Sequence, residues 1–375
     1  MACVSTALII GGSIAGLSTA IALSRVGVSC DVVELAEAPG GASIALSGRA
    51  TQALDELGVY DACAAGSTVF LPGSTVVDQM DAAGNLISEG PKRPLLPGVK
   101  DAIGVYRPVF LATLQEAAQQ LGAKVYRGVT ARTTDERDDG VFVTMTDGRQ
   151  ARYDMVVGAD GIGSRTRTRL FPDAPAPAYS GQYSLRWMMS GPRIDGEGWY
   201  IGPAGRLGFY HLPGGLTYIP AVIDMPERVH LTDEDVYSLF GRLLDSYTAP
   251  AVVEMRRRLT RDADLIGRPF EWILLPAPWH RGRTILVGDA AHATTAHMGM
   301  GGGMALEDAV VLAQCVSDAP TLDAAFGTFM ERRHSRVATV VETSVELSRL
   351  EQAGAPTSEN VGLLSKAFQA LGQPY

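Results

Sequence analysis

The sequence predicts an α/β fold, in which a Rossmann-like, dinucleotide-binding unit is interleaved with an antiparallel-sheet unit and followed by C-terminal helices. Three observations carry this reading. A glycine turn, Gly11 to Gly16, follows the first apolar run. A second glycine loop, Gly299 to Gly303, follows Gly288-Asp289-Ala290-Ala291-His292 near the other end of the chain. Between them, Tyr183 to Asp224 alternates as strands do, broken by Gly202-Pro203 and Pro213-Gly214-Gly215. One glycine turn behind a strand suits any dinucleotide. Two, at opposite ends of the chain, suit a single long cofactor held at both polar ends, and FAD has that shape.

The first unit reads element by element. Ala7 to Ile10 is a short apolar run bounded by glycine, the pattern of a buried parallel strand. Apolar residues at Ile14, Leu17, Ile21, Leu23 and Val26 follow helical spacing, and Gly27 stands where a helix stops. Cys30 to Val33 is a second buried strand and ends in the acid Glu34. Strand, glycine turn, helix, strand and acid make a βαβ dinucleotide site. Gly11 permits the tight turn, Gly16 lets the helix pack on the strand, and the helix N-terminus at Ile14 offers free N–H groups to a pyrophosphate. Glu34 is placed to accept hydrogen bonds from ribose hydroxyls. The middle glycine of the fingerprint is replaced by Ser13, whose hydroxyl can still meet a phosphate.

The distal half repeats the logic. Arg283 to Val287 reads as a buried strand, and Asp289 follows at its carboxyl end, where open α/β sheets place ligand contacts. Gly299-Met300-Gly301-Gly302-Gly303 leads into an apolar helix, Met304 to Val316. A helix N-terminus behind such a loop favours negative charge, which a reduced flavin carries on one edge of its ring. Tyr153 to Gly158 is a further strand with Asp160 after it, as a ligand contact or as a loop-holding acid.

Bulk properties set the limits. A chain of 375 residues exceeds one compact core and suits two units. Net charge of −9 argues against a nucleic-acid partner. The four cysteines and six histidines show no metal-ligand or redox spacing, so no metal is expected, and the cysteines suit a reducing compartment. The N-terminal apolar run lacks a basic lead and is cut short by Gly11-Gly12, and no segment reaches the ~20 apolar residues of a membrane span. A cytoplasmic protein without a membrane partner is expected.

These motifs together resemble the class A flavin-dependent aromatic monooxygenases, which have the para-hydroxybenzoate hydroxylase fold. Within them the chain is most similar to the subgroup of salicylate, 6-hydroxynicotinate and urate hydroxylases. The resemblance rests on Gly11 to Gly16 with Glu34, on Gly41-Ala42-Ser43-Ile44, on Gly158 to Ser164, and on Gly288 to Asp308. Arg107, in Tyr106-Arg107-Pro108, matches the arginine that contacts flavin in such enzymes. The resemblance implies that Ser13, Glu34, Leu35, Ser43, Arg107, Val129, Asp160, Asp289 and Gly299 to Gly303 touch FAD. It implies FAD-binding segments over 1–70, 101–178 and 273–330, a substrate unit over 71–100 and 179–272, and C-terminal helices over 331–375. Ala296 departs from the pattern, since relatives carry proline there.

Polar and aromatic candidates on the predicted sheet are Tyr183, Arg186, Trp187, Arg206, Tyr210, His211 and Tyr218. Arg206 and Tyr218 are spaced like the arginine–tyrosine pair of urate-hydroxylating relatives, and His211 is the other candidate base. His292, after a buried acid, reads as structural. Leu322 to Leu350 reads as a long helix with Glu331, Arg332, Arg333 and Arg336 on its polar face, and the last twenty residues could cover the pocket, meet a partner subunit or hang free. The implied reaction is NAD(P)H- and O2-dependent hydroxylation of an electron-rich aromatic or N-heteroaromatic ring through a flavin C4a-hydroperoxide, in a monomer or homodimer. With one nucleotide fingerprint, occupied by FAD, NAD(P)H would bind transiently. Epoxidation, oxidative decarboxylation, Baeyer–Villiger-type oxidation and a non-hydroxylating flavoprotein remain open alternatives.

Overall fold

The computed structural model describes residues 2–70, 78–90, 96–355 and 357–375. The stretches 71–77 and 91–95 of the expected first substrate segment lie outside the described residues, as does Pro356.

A six-stranded sheet runs in the order His280–Arg281, Thr284–Leu286, Met155–Gly158, Thr6–Ile10, Ser29–Glu34 and Lys124–Arg127. All neighbours are parallel except the short edge strand His280–Arg281. The register aligns Ile10 with both Val33 and Gly158, and Gly158 with Leu286. Motifs far apart in sequence therefore emerge at one edge: Glu34 ends its strand, and the Gly11 turn, Asp160 and Asp289 each follow the carboxyl end of another. This is where an open parallel sheet binds its ligand.

Two glycines are required by close approach. Gly11 has φ +116°, and a Cβ there would lie 2.2 Å from the Ala159 carbonyl oxygen. A Cβ on Gly16 would lie 1.7 Å from the Gly11 carbonyl oxygen, so this glycine brings the helix Ile14–Arg25 onto its strand. That helix is buried from Ile14 through Leu23, sandwiched between the sheet and the helix Gly301–Asp318. The latter starts at Gly301, three residues before the position the sequence suggests. Gly302 and Gly303 form its first turn, and Gly303 lets Ala50 approach to 2.9 Å of where a Cβ would sit.

The second large sheet has seven strands, in the order Leu265–Trp272, Ala178–Ser190, Leu216–Asp224, Gly205–Leu212, Gly198–Gly202, Gln79–Met80 and Leu86–Ser88. The predicted strand alternation is a true period of two. Leu185, Trp187, Leu207, Ile219, Ala221 and Ile223 form one core with Phe240, Leu244, Val252 and Met255 of the helices Asp233–Asp245 and Pro250–Arg258. The alternate residues Ser184, Arg186, Arg206, Tyr210, Tyr218 and Pro220 face a cavity instead. A three-stranded antiparallel sheet over Ala131–Arg137, Gly140–Met145 and Gln150–Tyr153 is a further element that the motifs did not signal.

The long helix spans Leu322–Gln352, with Thr321 as its N-cap. Its expected polar face is only partly polar. Arg333 is 0% exposed, because Glu307 and Asp308 of the neighbouring helix supply buried carboxylates for it. The tail does not hang free. A helix over Thr357–Leu371 places Phe368, Gln369 and Leu371 against the cavity.

Candidate cofactor and substrate site

A continuous cavity of about 1790 Å³ runs from Glu34 and Leu35, past Asp160 and Asp289, to Arg186, Arg206 and Tyr218. Small-molecule pockets usually occupy ~300–1,000 Å³, so this one has room for a dinucleotide and a second ligand. Of the cofactor residues nominated from sequence, Gly16, Val129 and Gly303 are absent from its walls, and of the sheet candidates Tyr183 and Trp187 are absent, because both turn into the core on the other face of the sheet. Gly16 and Gly303 act through packing. The Val129 side chain joins the core around Leu8 and Ile10, its backbone N–H donates to the Glu34 carbonyl, and Thr130 and Ala131 line the cavity in its place.

At the proximal end the Glu34 carboxylate is fixed by backbone donors. The Gly12 N–H donates to Oε2 at 2.6 Å and the Ala36 N–H to Oε1 at 2.7 Å. Gly12, not singled out from sequence, is thus the donor that aims the acid across the turn. Arg107 Nη2 donates to the Ser13 hydroxyl at 2.8 Å, which ties the residue replacing the middle glycine to the flavin-side arginine. Gly41 has φ +112° and leaves space for the Arg107 side chain, since a Cβ would meet its Cδ at 2.6 Å. The Ser43 hydroxyl donates to the Val105 carbonyl at 2.7 Å and so accepts from the Tyr210 hydroxyl, also at 2.7 Å.

Asp160 plays the loop-holding part. Its Oδ2 accepts from Thr166 N–H and Oγ1, both at 3.0 Å, while Oδ1 accepts from the Ser164 hydroxyl. Arg167, a residue missed from sequence, is buried behind this loop. It donates to the carbonyls of Ala290 at 2.9 Å and Ile162 at 2.6 Å, joining the Asp160 loop to the Asp289 turn.

The Asp289 turn is braced from below. Asp308 Oδ2 accepts from Gly288 N–H at 2.9 Å and from His292 Nε2 at 2.6 Å. Its Oδ1 accepts from Arg333 Nε at 2.8 Å. Burial opposes ionisation of Asp308, but His292 and Arg333 outweigh it and hold the carboxyl far below the usual range. His292 is therefore structural, as expected. Asp289 itself carries no hydrogen bond or ion pair among the described residues, and its carboxylate opens into the cavity. Its depth in the molecule pushes the carboxyl upward, against the pull of His292 and Arg107. The residue is nevertheless exposed in the open cavity, and that accessibility tempers the upward push.

At the distal end the three candidate catalytic residues differ. His211 has both ring nitrogens engaged, Nδ1 with the Thr217 hydroxyl at 2.8 Å and Nε2 with the Ile194 carbonyl at 3.0 Å. A carbonyl only accepts, so Nε2 carries the proton and Nδ1 accepts from threonine; neither is free as a base. Arg206 Nε lies 2.6 Å from Glu351 Oε1 on the long helix, a partner no sequence pattern pointed to. Tyr218 is buried beneath the cavity and packs edge-on against Tyr210 with ring centroids 5.5 Å apart. Burial raises its hydroxyl pKa and Arg186 opposes that rise.

The residues fit FAD. A fixed acid and free N–H groups stand at one end, an unpartnered buried Arg107 Nε and an uncommitted Asp289 lie midway, and the N-terminus of an 18-residue helix faces the far end. Among the described residues no cluster suits a metal ion, and no helix is long and apolar enough to cross a membrane.

Comparison with known proteins agrees with this geometry. The family model described as FAD binding domain matches residues 4–189 and 274–344. The aurachin C monooxygenase/isomerase of Stigmatella aurantiaca is 32% identical over 359 residues, covering 92% of this chain and 90% of that protein. The 3-hydroxybenzoate 6-hydroxylase of Klebsiella oxytoca is 31% identical, covering 98% and 94% respectively. The crystal structure of Klebsiella pneumoniae HpxO with FAD and uric acid has the same fold, with a TM-score of 0.79 at 21% identity over 98% of this chain and 94% of that one. The chain thus belongs to the FAD-binding domain family and is an FAD-dependent monooxygenase of the class A, para-hydroxybenzoate hydroxylase type.

Proposed function

We propose that the enzyme uses NAD(P)H and O2 to hydroxylate an electron-rich aromatic or N-heteroaromatic small molecule. The observation that carries this reading is the chamber under the seven-stranded sheet, which opens onto Asp289 and the Gly301 loop and is walled by Trp199, Tyr210, Tyr218 and Phe270. FAD, held by these residues, would supply the redox chemistry that links NAD(P)H oxidation to O2 activation. The chain supplies the rest. Ser13, Glu34, Arg107 and Asp289 hold the cofactor along its length. The aromatic walls stack a ring and exclude water, which protects reactive intermediates. Tyr218 moves the proton of the substrate hydroxyl, since His211 is committed on both nitrogens.

The chain divides in this reading into FAD-binding segments 1–70, 101–178 and 273–330 and a substrate unit of 71–100 and 179–272, with helices after 331. NAD(P)H visits without a fingerprint of its own. The protein works as a monomer or homodimer in the cytoplasm, where its four unpaired cysteines stay reduced. Purified enzyme offered phenols, hydroxypyridines and purines should oxidise NAD(P)H faster with at least one of them. Mass spectrometry should then find one oxygen atom gained. NAD(P)H oxidation yielding peroxide alone, with every ring tried, would overturn hydroxylation.

A further inference from the structure

The substrate end of the cavity holds two arginines on one sheet face, and they differ in electrostatic state. Arg206, on Gly205–Leu212, is 2.6 Å from Glu351, and its guanidinium carbon stands 4.9 Å from the centre of the Trp199 ring. The same carboxylate lies 3.3 Å from His297 Nε2. Burial would push Glu351 up, but Arg206 and His297 together bring it below its ordinary range, so it is a full counter-ion. The charge of Arg206 is already answered from within the chain.

Arg186, on Ala178–Ser190, is not answered. It donates from Nε to the Ser184 hydroxyl at 3.0 Å, and among the described residues no carboxylate lies within 4.0 Å of it. It is half-buried and lines the cavity, as does Ser184. An enclosed guanidinium without a counter-ion is costly, and an anion arriving from solvent removes that cost. Arg107, another cation close by, feels the charge of Arg186 as repulsion but is opposed by Asp289. Arg186 is left as the open positive charge of the chamber.

Register decides which arginine attends Tyr218. Met188 stands opposite Tyr218 and Arg186 opposite Pro220, so Arg186 and Tyr218 are diagonal neighbours on one face, ~7–8 Å apart at Cα. Arg206 stands opposite Val222, while Tyr218 pairs with Tyr210. Four residues of strand, about 13 Å, therefore separate Arg206 from Tyr218. The spacing of twelve in sequence brings Arg206 and Tyr218 onto one hairpin but not into contact.

We propose that Arg186, and not Arg206, is the specificity-determining residue for an anionic ring, whose carboxylate or phenolate sits between the Arg186 guanidinium and the Tyr218 hydroxyl. Ser184 holds the guanidinium in place for it. The Arg206–Glu351 pair joins the sheet to the long helix and closes the far wall. This deepens the proposed hydroxylation and rests on it.

The test uses the FAD-loaded full chain with two probes of equal shape, salicylate and its neutral amide, binding being read by calorimetry and by the shift in flavin absorbance. Wild type should prefer salicylate at least tenfold. Arg186→Met should weaken salicylate about 10–100-fold, the loss expected for a charge-assisted hydrogen bond, and leave the amide nearly unchanged. Arg186→Lys should restore part of the preference, and Arg206→Met should keep it. FAD occupancy and circular dichroism equal to wild type establish that each variant is folded, and Arg186→Gln serves should the methionine variant fail. An undiminished preference in the Arg186 variants, its loss in Arg206→Met, or wild type binding both probes equally or neither would each overturn the inference. Failure of the hydroxylase reading is separate: anion preference would persist while no ring gains oxygen from NAD(P)H and O2.

Discussion

Asp289 shows how a single residue is prepared for a ligand it must wait for. Its backbone is held by the Gly288 N–H bond to Asp308 and by Arg167 on the Ala290 carbonyl, while its own carboxylate has no partner among the described residues. Asp289→Ala should therefore weaken FAD at least tenfold, consistent with roughly 1.5–3 kcal/mol for a hydrogen bond to a charged group, without unfolding the protein. Equilibrium flavin fluorescence checks this, and full occupancy in the mutant would discard the assignment. Tyr218→Phe should leave FAD bound and lower turnover on a phenolic substrate by about 10²-fold or more if the hydroxyl moves the proton. Equal kcat in the two proteins would end that role. Here the sequence was a good guide to residue type and a poor one to pairing. Tyr218 could be named from its strand, but Arg206 belongs to Glu351, which lies on another element 145 positions further along the chain.

At the scale of elements, the glycine-loop helix and the long helix are bolted together by buried charge. Arg333 donates to Asp308 Oδ1 at 2.8 Å and to Glu307 Oε2 at 2.6 Å, and Arg336 donates to both Glu307 oxygens at 2.7 and 3.0 Å. Removing one partner strands the others in the buried interior. Arg333→Met should cost about 3–5 kcal/mol and release FAD, seen as a lower melting temperature and a lost flavin spectrum. The pH response has a definite sign. Asp308 has a depressed pKa in the folded protein, so its stabilisation is complete above the ordinary carboxylate range. It drains away as pH falls below about 4 toward the folded value. Thermal melts from pH 7 to 3 should fall less steeply for Asp308→Asn than for wild type. This network explains why Glu331 to Arg336 misled as a polar stripe: the pattern reports charge, and only the neighbouring helix reveals that Arg333 is 0% exposed.

Over the whole molecule, the C-terminal helix closes one wall of the cavity because the carbonyls at its end and just beyond it are claimed by three arginines. Arg49 donates to the Gly372 carbonyl at 2.9 and 2.7 Å, Arg336 to Leu371 at 2.7 Å, and Arg332 to Tyr375 at 3.0 Å. Arg49→Ala should speed hydrogen exchange across residues 365–373 and raise the share of reducing equivalents lost as peroxide. Unchanged exchange there would show that the tail is held without Arg49. The sequence by itself determined the βαβ fingerprint, the distal Gly288-Asp289 turn, the alternating sheet and the FAD-binding character of the chain. These depend on local spacing: period two for strands, 3.6 for helices, and glycine wherever backbones must touch. Only the tertiary structure decided that Asp160 caps its own loop, that Val129 turns into the core, that His211 is spent on Thr217 and Ile194, and that Arg186 is the uncompensated cation beside Tyr218. Such outcomes depend on which side chains meet across strands and helices, and a strand's own sequence does not encode what its neighbour brings.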